Sequence, residues 1–337
     1  MMMKSRWIRG TTSAVMALLG LLLLTFMIGR VMPLDPVLAI VGPDADRATY
    51  EQVYKQLGLD RPLWAQFGRY LGDLLQGDLG HALLTGRPVT EDLARVLPAT
   101  LELATLAILL GALLGVPLGV WAASNHKRWP DHVARVLGLA GHSTPVFWFG
   151  MMGLLVFYAW LGWAGGIGRI GLGYEGAVPR VTGLMLVDTL LAGDLAAFRD
   201  ALRHLLLPAC VLGLHSMAYL SRMTRSFMLA QLTQEYITTA RVKGLSRRQV
   251  VWGHAFLNIR VQLLTILALA YGGLLEGAVL VETVFGWPGF GSYLTGSLLL
   301  GDMNAVMGSV LVVGLIFVAL NLTADALYRV FDPRART

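Results

Sequence analysis

Cysteine is almost absent from this chain. Cys210 stands alone among 337 residues, so no intramolecular disulfide forms and no Cys/His set has zinc spacing. Charge is also scarce: 14% of residues are Asp, Glu, Lys or Arg, against about 25% in an ordinary soluble domain. The lysines are Lys4, Lys55, Lys127 and Lys243, and none stands in the G-x-x-x-x-G-K-[ST] context whose backbone amides cradle phosphates. The chain is therefore not expected to hydrolyse ATP. Neither G-x-S-x-G nor H-E-x-x-H occurs, which removes two common hydrolase signatures. No internal repeat and no low-complexity tract breaks the sequence. The net charge is +6, but the basic stretches carry few aromatics and no nucleic-acid motif, so no nucleic-acid partner is expected.

What the sequence has in abundance is apolar residues. They make up 55% of the chain, and the mean hydropathy is +0.62. A bilayer core about 30 Å thick requires a helix of about 20 mostly apolar residues. Six segments meet that requirement: Thr11–Met32, Leu101–Ala123, Val136–Trp160, Leu202–Leu220, Val261–Phe285 and Ala305–Tyr328. The expected fold class is an all-α integral membrane protein of about six transmembrane helices. It is read as a single transmembrane domain over residues 1–337. The first segment has the basic start and apolar centre of a secretory signal peptide. However, Val31-Met32-Pro33-Leu34 is not a small-residue cleavage site, so an uncleaved anchor is expected.

Loop charges give an orientation. Lys4, Arg6 and Arg9 precede the first span, and Lys127, Arg128 and Arg135 lie between the second and third. The loop between the fourth and fifth is the most basic, with Arg222, Arg225, Arg241, Lys243, Arg247, Arg248 and Arg260 against Glu235. The positive-inside rule places these segments in the cytoplasm. With an even number of spans, both termini of this multi-pass protein are expected there. Residues 34–98 then form an extracytoplasmic insert. Within it, Asp44–Leu75 reads as amphipathic helix, punctuated by Gly58-Leu59-Asp60-Arg61-Pro62.

Residues 226–258 form the cytoplasmic loop of greatest interest. Ser226–Val242 reads as a short helix with Arg241 and Lys243 in its last turn, favourable to the negative end of the helix dipole. Gly244 suits the left-handed position just past a helix end. Ser246 suits the N-cap of a second helix that enters the fifth span. Charge alone leaves two readings of this helix–Gly–helix: a solvated topogenic loop or a docking protrusion.

The segment runs Glu235-Tyr236-Ile237-Thr238-Thr239-Ala240-Arg241-Val242-Lys243-Gly244-Leu245-Ser246 and continues to His254-Ala255-Phe256-Leu257-Asn258. It resembles the E-Y-x-x-T-A-R-A-K-G-L-S and H-A-x-x-N pattern of permease subunits in the dipeptide, oligopeptide and nickel family of bacterial ABC importers. The dipeptide-type branch fits best. Val242 departs from the usual Ala. Further resemblances follow in order along the chain: Gly77-Asp78-Leu79-Gly80, Pro98-Ala99-Thr100-Leu101-Glu102-Leu103, His204-Leu205-Leu206-Leu207-Pro208-Ala209, and Thr283-Val284-Phe285-Gly286-Trp287-Pro288-Gly289-Phe290-Gly291.

The resemblance implies a pore-forming permease that imports dipeptides or related small peptides by alternating access. It also implies the partners: a second homologous permease subunit, two cytosolic ABC ATPase subunits that bind ATP and Mg, an extracytoplasmic solute-binding protein, and membrane lipid. This chain itself is expected to hold no cofactor and no metal and to supply no catalytic residue. Glu235, Tyr236, Thr239, Ala240, Arg241, Lys243, Gly244 and Leu245 become the candidate ATPase-coupling residues. Import of nickel, an opine or a metal chelate by the same architecture is the alternative. A secondary transporter would show charged pairs or broken helices in matching halves, and no such symmetry is visible in the sequence.

The candidate translocation path comprises His142, Pro145, Glu276 and Glu282. Glu276 lies well inside the fifth span, where the family usually has a small or apolar residue. An intramembrane acid marks a pathway or a partner, so it either meets a cationic part of the substrate or pairs at a subunit interface. Glu282 lies nearer the span end and is expected at the water interface. His142 either lines the path or packs, and Pro145 is expected to kink the third span. The glycines within Gly111–Gly119 are expected to let helices pack closely.

Overall fold

A computed structural model describes residues 2–31, 36–42 and 44–331, with side chains at 16–30, 37–38, 40–42, 44–141, 143–323 and 326. Its helices, in chain order, are α1 (Met2–Val31), α2 (Pro36–Val41), α3 (Arg47–Gln56), α4 (Leu63–Leu75), α5 (Val89–Ser124), α6 (Trp129–Ser143), α7 (Val146–Gly153), α8 (Met185–Leu191), α9 (Leu195–Leu232), α10 (Glu235–Val242), α11 (Phe256–Phe285), α12 (Phe290–Leu300) and α13 (Met303–Phe331). Two π-helical stretches, Leu154–Trp160 and Gln249–Ala255, extend α7 forwards and α11 backwards. Among the described residues the one strand-like feature is an isolated bridge between His81 and Pro88.

Four helices are long and apolar enough to cross a membrane: Val89–Ser124, Leu195–Leu232, Gln249–Phe285 and Met303–Thr323. The bent pair α6–α7 makes a fifth if counted as one span. The apolar stretch of α1 among the fully described residues, Met16–Arg30, is shorter than a span, and Met32 lies outside the described residues. The molecule is thus an all-helical membrane protein with four or five spans among the described residues.

Two compact units divide the chain, Met1–Leu97 with Ser292–Ala319, and Pro98–Gly291 with Leu320–Thr337. In the first, α1 packs on α13 where glycines remove side-chain bulk: a Cβ on Gly314 would come within 2.1 Å of Leu21, and one on Gly29 within 2.4 Å of Met307. Helix α4 joins them through Phe26, Phe67 and Tyr70, whose rings meet edge-on or tilted. The hydroxyls of Thr25 and Tyr70 lie 3.1 Å apart.

The second unit is built on α5, α9 and α11. Gly111, Gly115 and Gly119 recur every fourth residue and lie on one face of α5. A Cβ on Gly115 would approach the Met217 carbonyl to 2.7 Å, and one on Gly119 the Ser221 carbonyl to 2.5 Å. The expected close packing of this glycine run is therefore present, with α9 as the partner. Small-residue stripes allow such backbone approach where lipid supplies no hydrophobic drive between helices. A bidentate ion pair from Arg225 on α9 to Asp131, at 2.5 and 3.0 Å, fixes α6 beside α9.

Several boundaries differ from expectation. The third span breaks at Ser143-Thr144-Pro145 instead of kinking, because Pro145 takes an extended conformation and becomes the N-cap of α7. Helix α5 begins at Val89, so the end of the 34–98 insert is already helical. Helix α4 opens just after Pro62, and Gly58 has a φ of +66°, so the expected punctuation holds.

Candidate functional site

The expected helix Ser226–Val242 is two helices. Ser226–Leu232 closes the long α9, Thr233 and Gln234 turn the chain, and α10 starts at Glu235. Glu235 sits in the first turn of α10 and Arg241 in the last, each suited to its end of the helix dipole. Lys243 is the C-cap and Gly244 follows at φ +80°, the left-handed position expected of it. The Leu245 N–H donates to the Ala240 carbonyl at 3.3 Å and the Gly244 N–H to Arg241 at 3.0 Å. This pair of bonds is a Schellman motif, which satisfies carbonyls that a helix end leaves open.

The next helix begins at once. The Ser246 N–H and Oγ donate to Oε1 of Gln249 at 2.9 and 2.8 Å, and the Gln249 N–H donates back to Ser246 Oγ at 3.4 Å. That is a capping box on Ser246, as the sequence indicated. Leu245 before it and Val250 after it share one apolar cluster, so a hydrophobic staple backs the box. The turn Lys243–Ser246 is thereby fixed on both sides.

One face of α10 is held and the other is presented. Ile237 is fully buried and Ala240 nearly so, in a cluster with Val120 of α5, Leu220 and Met228 of α9, and Val250, Ala255 and Ile259 leading into α11. Tyr236 and Leu245 pack against the same cluster, and Tyr236 donates its hydroxyl to Gln231 Oε1 at 2.8 Å. Glu235, Thr239, Arg241, Lys243 and Gly244 are exposed. Val242 is 83% exposed beside them. Among the described residues Glu235, Arg241 and Lys243 enter no ion pair. Arg247 donates to the Ser124 carbonyl and, at 2.9 Å, to Asn125 Oδ1, which fastens this loop to the end of α5.

Of the eight candidate coupling residues, then, five form the outer face and three the grip. Ile237 is the anchor that the motif comparison passed over, although its three-residue spacing from Ala240 already marked a helix face. Val242, noted in the sequence only as a departure, is the exposed apolar residue of the protrusion.

Among the described residues, none of the candidate path residues lines the cavity beside the end of α1 or the one between α6 and α9. The side chain of His142 lies outside the described residues. Pro145 is exposed at the α6–α7 break, and Glu276 is exposed on α11 in line with Leu269, Gly273, Leu280 and Thr283. The expectation for Glu282 is overturned. It is 0% exposed, and Thr100 Oγ1 donates to its Oε1 at 2.5 Å. The chain past Gly286 folds back over it, and Gly289 and Gly291 make room, since a Cβ on either would fall within 3 Å of its carboxylate. The Phe290 N–H donates to Thr100 Oγ1 at 2.7 Å, and Trp287 Nε1–H donates to the Ala99 carbonyl at 3.0 Å. Arg169 stacks over Trp287 at 5.6 Å and pairs with Glu102 at 2.5 Å.

Comparison with known proteins gives the family of the chain. Residues 115–337 match the family described as binding-protein-dependent transport system inner membrane component, and residues 2–104 match the N-terminal component of the same system. The chain is 44% identical over 320 residues to the probable D,D-dipeptide transport system permease protein DdpB of Escherichia coli strain K12, covering 95% of this chain and 94% of that one. It is 41% identical over 318 residues to the di/tripeptide transport system permease protein DppB of Pseudomonas aeruginosa, covering 94% of each. It is 39% identical over 320 residues to the dipeptide transport system permease protein DppB of E. coli K12, again covering 94% of each. The chain belongs to the binding-protein-dependent transport system inner membrane component family, as a permease of the dipeptide type.

Proposed function

We propose that this chain is the pore-forming permease subunit of an ATP-driven importer that moves dipeptides or related small peptides into the cytoplasm. The names of its relatives support the substrate class. The observation that carries the mechanism is the two-sided mounting of α10, with Ile237 and Ala240 buried and Glu235, Arg241, Val242 and Lys243 presented. A solvated topogenic loop has no need of a buried anchor, a Schellman turn and a capping box.

On this reading α10 docks in a groove of a cytosolic ATPase that binds ATP and Mg. Val242 enters the groove, and the unpaired charges meet complementary ones at its rim. When the ATPases close, α10 moves with them. Its grip on Val120, Leu220 and Ile259 passes the displacement to α5, α9 and α11 together. The spans then exchange between two packings, as alternating access requires. Glu276 faces either the path or a second homologous permease subunit, and a solute-binding protein delivers the peptide from outside. The basic loops support a reading in which α10 and both termini lie on the cytoplasmic side of the inner membrane.

A mild-detergent pull-down of the tagged chain from native membranes tests this. A second multi-span protein and P-loop ATPases are expected to co-purify. Recovery of the chain alone under several detergents would contradict it. A reporter fused after Thr337 is expected to map to the cytoplasm.

A further inference from the structure

We propose that the cavity beside the end of α1 binds the headgroup of an anionic, hydroxyl-bearing phospholipid such as phosphatidylglycerol. This cavity lies wholly within the first compact unit and encloses about 220 Å³. That is below the roughly 300–1,000 Å³ of pockets that enclose a drug-sized ligand, so it admits a headgroup and not a whole molecule.

Its polar wall is unbalanced. Arg30, Arg61 and Arg69 line it, against the carboxylates of Asp73 and Asp302. Asp302 is already committed: it is fully buried and accepts from the N–H groups of Leu83 at 2.6 Å, Leu84 at 3.4 Å and Ala305 at 3.1 Å. Among the described residues none of the three arginines enters an ion pair. Arg30 stacks over Phe26 at 5.4 Å, yet its Nε–H is shut off from solvent with no hydrogen-bond partner. The guanidinium of Arg69 lies over Gly58, where a Cβ would come within 2.5 Å of it, so the glycine leaves room for that cation.

Two unmet needs define the ligand. Arg30 Nε–H requires an acceptor, and a donor on a cation left unmet in a buried site is costly. A phosphate held by the three guanidinium groups supplies it once Arg30 turns toward the cavity, in the geometry that guanidinium groups favour. Gln66 lines the same cavity with its Oε1 buried and unpartnered, while its Nε2 donates to the Leu59 and Arg61 carbonyls at 3.3 and 2.7 Å. That oxygen requires a donor, which a glycerol hydroxyl provides on a small shift of the Gln66 side chain and a choline does not.

The surroundings favour a lipid over a soluble anion. The same cavity is lined by Ile40, Leu57, Leu83, Met303 and Met307. Around it, α2 and α4 expose Leu38, Ile40, Leu63 and Trp64, the last at 78%. Amphipathic helices with exposed Trp and Leu lie in the membrane interface, which sets the cavity at headgroup level.

Native mass spectrometry of the full chain with added lipids tests the site. The wild type is expected to retain phosphatidylglycerol at least tenfold over phosphatidylcholine. Arg30→Gln and, independently, the exposed Arg69→Gln are expected to cut that preference to about twofold, and Gln66→Leu to reduce it by less. Equal retention of the two lipids by the wild type, or a preference unchanged in both arginine variants, overturns the proposal. If inorganic phosphate or a dipeptide shifts the melting temperature of the wild type but not of Arg69→Gln, and no lipid preference exists, the site takes a soluble anion and the lipid reading fails.

Discussion

The two ends of the fifth span, Gln249–Phe285, treat charge in opposite ways. At the end that follows α10, Glu235, Arg241 and Lys243 stand in solvent without ion pairs, while apolar side chains do the fastening. At the other end, Glu282 is enclosed by its own chain and met by Thr100, and Arg169 is paired with Glu102 and stacked on Trp287, with its Nε alone unmatched. A turn that serves the fold meets most of its polar groups internally, because an unmet buried group costs about 1–3 kcal/mol. A surface that serves a partner keeps its charges available and is made rigid by other means. On the proposed function, the contrast supports a structural role for the Gly286–Gly291 turn and a binding role for α10.

Four substitutions probe the contrast, in descending size of expected effect. Replacing Glu235–Leu245 with a flexible linker is expected to reduce transport to background while the chain still inserts; transport near the wild-type level would break the assignment. Ile237→Ala is expected to destabilise the chain by about 2–5 kcal/mol, as for other large-to-small changes in a packed core. It is also expected to lower transport per ATP hydrolysed, since the anchor loosens; thermal unfolding and a coupled ATPase assay read the two effects. Glu282→Ala is expected to cost about 1–3 kcal/mol through unmet donors, with ATPase binding unchanged in the protein that folds. Arg241→Ala is expected to leave stability within about 0.5 kcal/mol, as for an exposed site. It is expected to weaken ATPase association roughly tenfold, about 1.4 kcal/mol, and less so at high salt.

The smallest effect concerns Asp188, in the segment before the fourth span. Burial opposes its ionisation, but donors from Thr182 N–H and Oγ at 2.7 Å and Gly183 N–H at 2.9 Å outweigh that together, and its carboxyl is held below the ordinary aspartate value. A depressed folded value means the stabilisation is fully present above the unfolded value of about 3.9 and is lost as pH falls through the folded one. Asp188→Asn is expected to flatten the acid limb of a melting-temperature profile below about pH 4.

Much of this was legible in the sequence, for physical reasons. Apolar runs report membrane helices directly, because the bilayer leaves the backbone few alternatives. Gly244 and Ser246 declared the α10 exit, since left-handed turns and N-caps have narrow residue preferences. The α9–α10 break was hidden, because Thr233 and Gln234 are not helix breakers and no Gly or Pro marks the site. The cover over Glu282 comes from chain that folds back, which periodicity does not report. The signal was present in Gly289 and Gly291, whose missing side chains make the carboxylate's space. Val242 looked like a deviation from a motif and is the most exposed apolar residue of the protrusion.

The most direct test places a probe on each face of α10. Cys210 is the only native cysteine, so Cys210→Ser gives a blank background for Val242→Cys and Ile237→Cys. In native membranes the Val242→Cys chain is predicted to crosslink to a P-loop ATPase and the Ile237→Cys chain not to. If the Val242→Cys chain captured no ATPase with reagents of several lengths, or captured a protein from the opposite side of the membrane, α10 would not be the coupling element.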